Sequence, residues 1–291
     1  MSFRTVVIEN TAKLDYSMGF LVVRQEKMTK IHLSDITVLM VASTAVSLTG
    51  VLLAALTKAK IKVIFCDEKR QPSSELVPYY GCHDCSGKLR TQIAWTKRVK
   101  DEVWTEIVYQ KILKQMEHLH QYNQSKAILL KDYLAELTLG DVTNREGHAA
   151  RVYFAELFGD NFSRSQENSI NDALNYGYGM LLSMVNREIV SNGYMTQLGI
   201  FHDSADNPFN LGSDLMEPFR VLVDRIVRHD MPQQFESQDK RRMLELVNTE
   251  VYVENRSEYV PNAIKIYVRS ILDALNSRDI SKIKNFQINE L

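Results

Sequence analysis

The sequence contains few cysteines. Three occur in 291 residues, at Cys66, Cys82 and Cys85, and they are too few and too unevenly placed for a disulfide framework. This excludes a small secreted domain held together by cross-links and favours a reducing compartment. A chain of this length with 45% hydrophobic residues can instead bury one large or two modest cores.

Long hydrophobic runs are also missing. The longest weakly polar stretch, residues 45–56, is about half as long as a helix that crosses a bilayer. The first ten residues, MSFRTVVIEN, do not contain the apolar core of an export signal. We therefore expect a cytoplasmic protein without a membrane span, and we find neither an internal repeat nor a low-complexity tract.

The chain lacks a large charge of one sign. Its net charge of −1 gives no hint of a nucleic-acid partner, because such partners usually leave a basic imbalance. Between residues 88 and 131, however, nine Lys or Arg accompany four acids, a local net charge of +5. This basic strip is available to an anionic partner, although the usual explanation of such a strip is a solvated helix face. His118 and His120 are two residues apart, so they do not share a helix face, and we predict that both are exposed.

Two kinds of pattern divide the chain. Up to residue 77, short runs of β-branched and aromatic residues such as FRTVVI and ITVLMV predict a small β-rich domain with one helix. The segment 78–87, PYYGCHDCSG, is rich in turn formers and is predicted to be a linker. Residues 88–291 carry apolar residues at helical spacing, and we predict an all-helical domain of about seven helices. The fold class is therefore α+β.

Three separated segments of the helical part offer ligands for a hard metal ion. They contain Glu146, His202, and the pair Asp214 and Glu217. Asp214 and Glu217 are three residues apart, so they share a face on one helical turn. Carboxylates with one imidazole suit Mg²⁺ or Mn²⁺. Such an ion polarises a phosphodiester and activates a 3′-hydroxyl for attack.

Simpler interpretations of the same residues remain open. The run DLME fits a capping box in which Asp214 is the N-cap and Glu217 reaches back. Glu146 fits an acid in the first turn of a helix, where the helix dipole stabilises it. His202 follows an apolar run and fits a half-buried imidazole.

Glycines near these residues favour a tightly packed site. Gly147 follows Glu146 inside a helical run, where glycine costs about 1 kcal/mol relative to alanine. Gly177 and Gly179 stand among large residues in LNYGYGMLL. We expect another chain segment or a ligand to approach closely at these positions.

Four segments in order resemble the CRISPR adaptation integrase family. They are EGHAARVYF, INDALNYGYGMLL, GYMTQLGIFH and SDLMEPFRVLVD, and together they span residues 146–224. The order of a β-rich domain before a helical domain also matches the family. Four motifs in sequence are a far more specific signal than any one of them.

The resemblance implies a site. Glu146, His202 and Glu217 match the catalytic metal ligands of the family, and Asp214 matches an acidic position beside the same ion. Many relatives have Asp where Glu217 stands, so the longer side chain here is expected to move the ion slightly. Arg220 matches a family arginine that either orients Glu217 or contacts a phosphate. The implied cofactor is Mg²⁺ or Mn²⁺.

The resemblance also implies partners. The family binds duplex DNA, both the captured prespacer and the CRISPR repeat, and joins them by attack of a 3′-hydroxyl. Its homodimers form a hetero-hexamer with a small second adaptation subunit, and the N-terminal domain is expected to provide dimer and partner contacts. The segments MSFRTVVIEN and DLMEPFR resemble the family members found in type II CRISPR systems. The effector nuclease and the ring-forming accessory protein of those systems are therefore further expected partners.

Binding to a duplex is expected to depend on phosphate contacts from basic side chains. The predicted contacts are Lys88, Arg90, Lys97 and Arg98 after the linker, and Arg145 and Arg151 beside Glu146. Two rival functions remain. One is a structure-selective metal nuclease without joining activity, and the other is a non-catalytic DNA-holding scaffold whose acids are helix caps.

Overall fold

The computed structural model describes residues 4–68, 70, 72–78 and 84–288. The chain divides into two compact units, Met1–Gly81 and Cys82–Leu291. Strands dominate the first unit and helices the second, which confirms the predicted α+β class.

The described residues of the first unit form two four-stranded sheets and one helix. In chain order the elements are β1 (Arg4–Ile8), β2 (Ala12–Ser17), β3 (Phe20–Arg24), β4 (Met28–His32), β5 (Ile36–Val41), β6 (Val46–Leu48), α1 (Gly50–Lys58), β7 (Lys62–Cys66) and β8 (Pro72–Glu75). One sheet has the strand order β1-β5-β7-β8 and the other β4-β3-β2-β6. Strands β1, β5 and β7 are parallel, and β8 is antiparallel to β7.

Aliphatic side chains form the core of this unit. Residues from both sheets and from α1 are completely buried, among them Leu14, Leu21, Leu39, Leu52 and Val63. Burial of one such side chain contributes about 1.5–3 kcal/mol relative to exposure. The short β-branched runs of the sequence therefore become strands because each supplies part of a shared apolar interior.

The second unit is built mainly from helices. They are α2 (Cys85–Ile93), α3 (Lys97–His120), α4 (Gln124–Ala135), α5 (Arg145–Phe158), α6 (Ser169–Ser191), α7 (Asn210–Met216), α8 (Arg220–Asp230), α9 (Ser237–Met243) and α10 (Val260–Ser277). The predicted linker, residues 78–87, lies partly outside the described residues, since 79–83 are not described. Its last three residues already belong to α2.

The prediction of an all-helical second domain is wrong in one region. Strands β9 (Glu250–Val253), β10 (Arg256–Tyr259) and β11 (Phe286–Ile288) form an antiparallel sheet in the order β10-β9-β11. In β9 the residues alternate between exposed and buried, the period-2 pattern of a strand. Glu254 and Asn255 both have positive φ, as a two-residue hairpin turn of type I′ requires.

The helical glycines serve packing within the protein. A Cβ on Gly177 would lie 2.5 Å from Val223 Cγ1 and 2.9 Å from Met243 Sδ, so this glycine lets α8 and α9 approach α6. A Cβ on Gly147 would lie 2.7 Å from Asn144 Oδ1, and Asn144 is the N-cap of α5. Close approach is confirmed at both positions, and the approaching groups belong to the chain itself. No described helix combines the length and apolar character needed to cross a membrane.

The prediction that His118 is exposed is wrong, because α3 places it in the interior. Its side chain is 1% exposed, and Nδ1 lies 2.7 Å from the Tyr153 hydroxyl. Burial, reinforced by Arg225 and Arg228, lowers the pKa of His118 to about 3. His120, on the other side of the helix, is exposed as predicted.

This buried imidazole predicts an acid-dependent loss of stability. Below pH 6.5 the unfolded chain binds a proton at His118 while the folded protein does not, so stability falls as the pH drops from 6.5 towards 3. The loss is about 1.4 kcal/mol per pH unit. Urea unfolding at pH 7 and pH 4.5 measures this loss. We expect the free energy of unfolding of His118→Gln to fall less between these two pH values than that of the wild type, whereas His120→Gln should show the wild-type fall. Equal acid dependence of the two variants would contradict the assignment.

Candidate metal centre

Helix α3 is the element around which the site is organised. Thr96 caps its start, and Lys100, Trp104 and Lys111 follow at intervals of four and seven residues. These intervals place the three side chains along one face. Each of them contacts a different part of the predicted site, as the following contacts show.

Glu146 is fixed at the beginning of α5. The Asp141 carboxylate accepts hydrogen bonds from the backbone N–H groups of Arg145 and Glu146 at 2.7 and 3.0 Å. Asn144 Oδ1 accepts one from the Gly147 N–H at 3.2 Å. These bonds satisfy donors that the first turn of a helix leaves unpaired. The Glu146 side chain, 22% exposed, therefore projects from a rigid helix start.

Asp214 organises the loop that carries His202. Its carboxylate is completely buried. Oδ2 accepts hydrogen bonds from the N–H groups of Ile200 and Phe201 at 2.6 and 3.1 Å, and Oδ1 accepts one from the His202 N–H at 3.0 Å. The capping-box interpretation of DLME is wrong, because Asp214 lies inside α7.

The same loop has no space for a side chain at Gly199. A Cβ there would lie 2.2 Å from the His202 carbonyl oxygen and 2.9 Å from Asp214 Oδ2. From α3, Lys100 Nζ donates a hydrogen bond to the Gly199 carbonyl at 3.0 Å. The loop is thus tied to both α7 and α3.

The His202 ring is held on two sides. Nδ1 lies 2.6 Å from Asp214 Oδ1. Trp104 stacks on Phe201 with ring centroids 4.4 Å apart, and the His202 ring meets both of these rings edge-on. The hydrogen bond to Asp214 raises the pKa of His202, burial opposes the rise, and the charges of Asp214, Glu217 and Glu146 add to it. When Nδ1 donates to Asp214, the lone pair of neutral His202 is on Nε2, the usual arrangement of a metal-binding histidine.

Glu217 lies at the junction of α7 and α8, with only 3% of its side chain exposed. Oε1 is 2.9 Å from Arg220 Nη2, and Oε2 is 2.6 Å from Lys111 Nζ. Burial alone would raise the pKa of Glu217, but Arg220 and Lys111 lower it below its ordinary value. Arg220 therefore contacts Glu217, and its contact with a phosphate remains a prediction.

Lys111 joins the two glutamates. Its Nζ lies 2.5 Å from Glu146 Oε1 and 2.6 Å from Glu217 Oε2. Burial by itself would lower the pKa of this lysine, but Glu217 and Glu146 raise it above its ordinary value. A permanent ammonium charge thus stands between the carboxylates of two helical segments that are distant in sequence.

The donor groups fit a divalent ion, although they are not arranged as a finished metal site. Among the described residues, no three His, Cys, Asp or Glu side chains are close enough together to hold one. Two carboxylates nevertheless converge on a single cation position. Glu217 Oε2 is paired with Lys111 Nζ at 2.6 Å, and a carboxylate oxygen has a second lone pair that can accept a further cation. Carboxylate oxygens with one imidazole match the preference of Mg²⁺ and Mn²⁺.

The predicted DNA-contacting side chains differ in how far their charges are already offset. Lys97 and Arg98 are exposed but pair with Asp101 and Glu102 at 2.9 and 3.0 Å. Arg145 pairs with Glu136 at 3.0 Å. Lys88 lies over the Tyr194 ring, whereas Arg90 and Arg151 are exposed.

Sequence reasoning missed four residues of this site: Lys111, Trp104, Asp141 and Gly199. A signal existed for Lys111, because it stands on the apolar stripe of α3, four residues after the buried Ile107. A lysine at a core position indicates a buried anionic partner. The other three are recognisable only from tertiary contacts.

Comparison with known proteins identifies the family. The profile of the family described as CRISPR associated protein Cas1 matches residues 5–245. A protein of Neisseria meningitidis serogroup C (strain 8013), named CRISPR-associated endonuclease Cas1, is 36% identical over 231 residues, which cover 79% of this chain and 76% of the relative.

Solved structures share the fold. The chain in "Casposase bound to integration product" has a TM-score of 0.76 and 19% identity, with 96% of this chain and 91% of that chain covered. A chain of the "Cas6-RT-Cas1--Cas2 complex" has a TM-score of 0.75 and 17% identity. This chain, 96% covered, spans 36% of that longer one. Because the family profile covers most of the sequence and the Neisseria relative agrees over a similar span, the chain belongs to the CRISPR-associated Cas1 family.

Proposed function

We propose that this protein is a divalent-metal-dependent DNA integrase of CRISPR adaptation, which inserts prespacer DNA into the CRISPR array. The observation that carries the proposal is the convergence of Glu146 and Glu217 on one cation position, beside an imidazole that Asp214 orients. The family supports it, as do a relative named as an endonuclease and a structural relative bound to an integration product.

Each side chain has a separate task in this proposal. Glu146 and Glu217 supply carboxylate oxygens, and His202 supplies Nε2, to Mg²⁺ or Mn²⁺. Asp214 holds the ring by its contact with Nδ1, and Arg220 balances the charge of Glu217. When bound, the ion supplies Lewis-acid activation of a phosphodiester and of the attacking hydroxyl.

The joining reaction conserves phosphodiester bonds. The 3′-hydroxyl oxygen of the prespacer forms a bond to a phosphorus of the repeat, and the bond from that phosphorus to the 3′-oxygen of the repeat strand breaks. The proton lost by the attacking hydroxyl is balanced by the one that the leaving oxygen takes up. The exchange therefore needs no nucleotide cofactor.

Duplex DNA is the proposed partner of the site, with Lys88, Arg90, Arg145 and Arg151 as proposed phosphate contacts. Lys97 and Arg98 are further proposed contacts. Neighbouring acids partly offset the charges of Lys97, Arg98 and Arg145, so we expect these three to contribute less. A homodimer that assembles with a small second subunit into a hetero-hexamer is proposed, consistent with the Cas1–Cas2 composition named for one structural relative. We further propose that the first unit provides the dimer and partner contacts. The type II subtype and its two accessory partners remain predictions.

A strand-transfer assay tests the function. A duplex with labelled 3′-hydroxyl ends is incubated with a plasmid that contains the repeat, the small second subunit and Mn²⁺ or Mg²⁺. We expect the label to become covalently attached to the plasmid, and both EDTA and 3′-deoxy ends to abolish attachment.

The rival functions give different outcomes in the same assay. Cutting of the plasmid without attachment of label would indicate a metal nuclease that does not join. Tight duplex binding with neither cutting nor attachment would indicate a scaffold. Attachment that persists in EDTA would contradict the role of the ion.

A further inference from the structure

Lys111 occupies the position that the proposed metal site needs. Its ammonium lies within 2.6 Å of a carboxylate oxygen of both Glu146 and Glu217. The lysine side chain is only 10% exposed, and that of Glu217 only 3%. In this arrangement the protein satisfies its own carboxylates with a univalent cation.

The charge of the cluster opposes simple addition of a divalent ion. Glu146 and Glu217 face the two cations Lys111 and Arg220. Asp214 adds a negative charge beside His202, so the cluster has a net charge of −1 when His202 is neutral. A divalent ion would reverse this charge to +1. It would also stand a few ångströms from an ammonium of like sign, where repulsion is strong because water is largely excluded. A phosphate of bound DNA supplies the negative charge that is then missing.

We infer that Lys111 makes metal binding depend on DNA: without a duplex its ammonium bridges Glu146 and Glu217, and with a duplex it transfers from Glu217 to a phosphate oxygen while the divalent ion enters. The flexible four-carbon stem of lysine allows such a transfer. Lys111 is then a positioning residue that links the ion and the phosphate. This inference rests on the proposed function, because it assumes that the two glutamates bind the ion.

If Lys111 had only a structural role, a different effect of its removal would be expected. If the lysine only neutralised two buried carboxylates, its removal would lower stability and would leave the linkage between metal and DNA unchanged. Lys114 offers a matched control on the same helix, three residues further on. Lys114 is also buried, with 2% of the residue exposed, but it does not contact the two glutamates. Its Nζ donates a hydrogen bond to Gln110 Oε1 at 2.8 Å and lies over the Phe286 ring.

Mn²⁺ titration followed by electron paramagnetic resonance tests the inference on the full chain. Mn²⁺ is added to the wild type, Lys111→Met, Lys114→Met and Glu146→Ala, each with and without a duplex. We expect Lys111→Met to bind Mn²⁺ without a duplex about tenfold more tightly than the wild type. In the wild type and in Lys114→Met the duplex should tighten Mn²⁺ binding about tenfold, and in Lys111→Met it should have little effect.

The outcomes separate this inference from the proposed function. Equal Mn²⁺ affinity of Lys111→Met and the wild type without a duplex, or an unchanged effect of the duplex in Lys111→Met, overturns the inference alone. No Mn²⁺ binding by the wild type even with a duplex overturns the proposed function as well. Lys111→Gln and Lys111→Arg are measured in parallel, with folding followed by circular dichroism. The Gln variant should behave like Met, and the Arg variant should retain the wild-type linkage.

Discussion

Replacing Glu146 with alanine is expected to reduce strand transfer about 10³-fold or more, while duplex binding stays unchanged or becomes tighter. The loss is expected because Glu146 is a proposed ligand of the ion. Removing such a ligand removes several kcal/mol of transition-state stabilisation, at about 1.4 kcal/mol per factor of ten in rate. Binding is expected to be spared because the proposed phosphate contacts are basic side chains and not Glu146. Removal of a negative charge also reduces repulsion of the DNA backbone.

The matched control is Glu156→Ala, on the same helix about three turns further along. Both variants are compared in the strand-transfer assay and in a duplex-binding titration at one salt concentration. Joining retained by Glu146→Ala would contradict the proposed role of Glu146 in holding the ion. Joint loss of folding and duplex binding in Glu146→Ala would count against a role confined to the ion.

Replacing Asp214 with alanine is expected to destabilise the second unit by about 3–5 kcal/mol, the usual cost of breaking a buried charged network. The substitution leaves three backbone N–H groups of residues 200–202 without their acceptor, and each buried unpaired group costs about 1–3 kcal/mol. The His202 ring also loses its partner at Nδ1. We therefore expect joining to fall about 10–100-fold even where the protein remains folded.

Urea unfolding followed by tryptophan fluorescence measures this effect. Trp95 and Trp104 are the two tryptophans of the sequence, and both lie in the second unit, so the signal reports on that unit. The control is Asp206→Ala, an exposed acid between His202 and α7, which should change the free energy of unfolding by less than about 0.5 kcal/mol. A similarly small change for Asp214→Ala would show that the loop does not depend on its carboxylate.

The main features of the fold followed from local patterns. Short β-branched runs predicted the strand-rich first unit, and helical spacing predicted most of the second. The strand β9 was missed because its four residues follow the apolar residues of the short 3-10 helix Leu244–Asn248 without a break in composition. Its partner β11 lies more than 30 residues later, and a pairing over that distance leaves no local signal.

The sequence singled out four residues that the structure places in or beside one cluster of charges, and it missed the residues that join them. Glu146, His202, Asp214 and Glu217 were singled out from the sequence, and whether the first, second and fourth bind an ion remains a prediction. The helix α3 was predicted from its apolar spacing. Its role in gathering these residues was not predicted, because its basic residues were interpreted as part of a basic strip. Lys111 and Trp104 belong to its buried face, and their partners lie 35 to 106 residues further along the chain.

The wide separation of the contacts around α3 has a consequence for the newly synthesised protein. Residues from α3, the start of α5, the loop at residues 199–202 and the α7–α8 junction must all be present before the cluster can close. Such long-range contacts form late, because closing large loops is entropically unfavourable. A ribosome-bound chain that ends before residue 217 therefore lacks one of the two clustered glutamates. We expect such a chain neither to cut nor to join DNA, and the activity to begin only after the complete helical unit has folded.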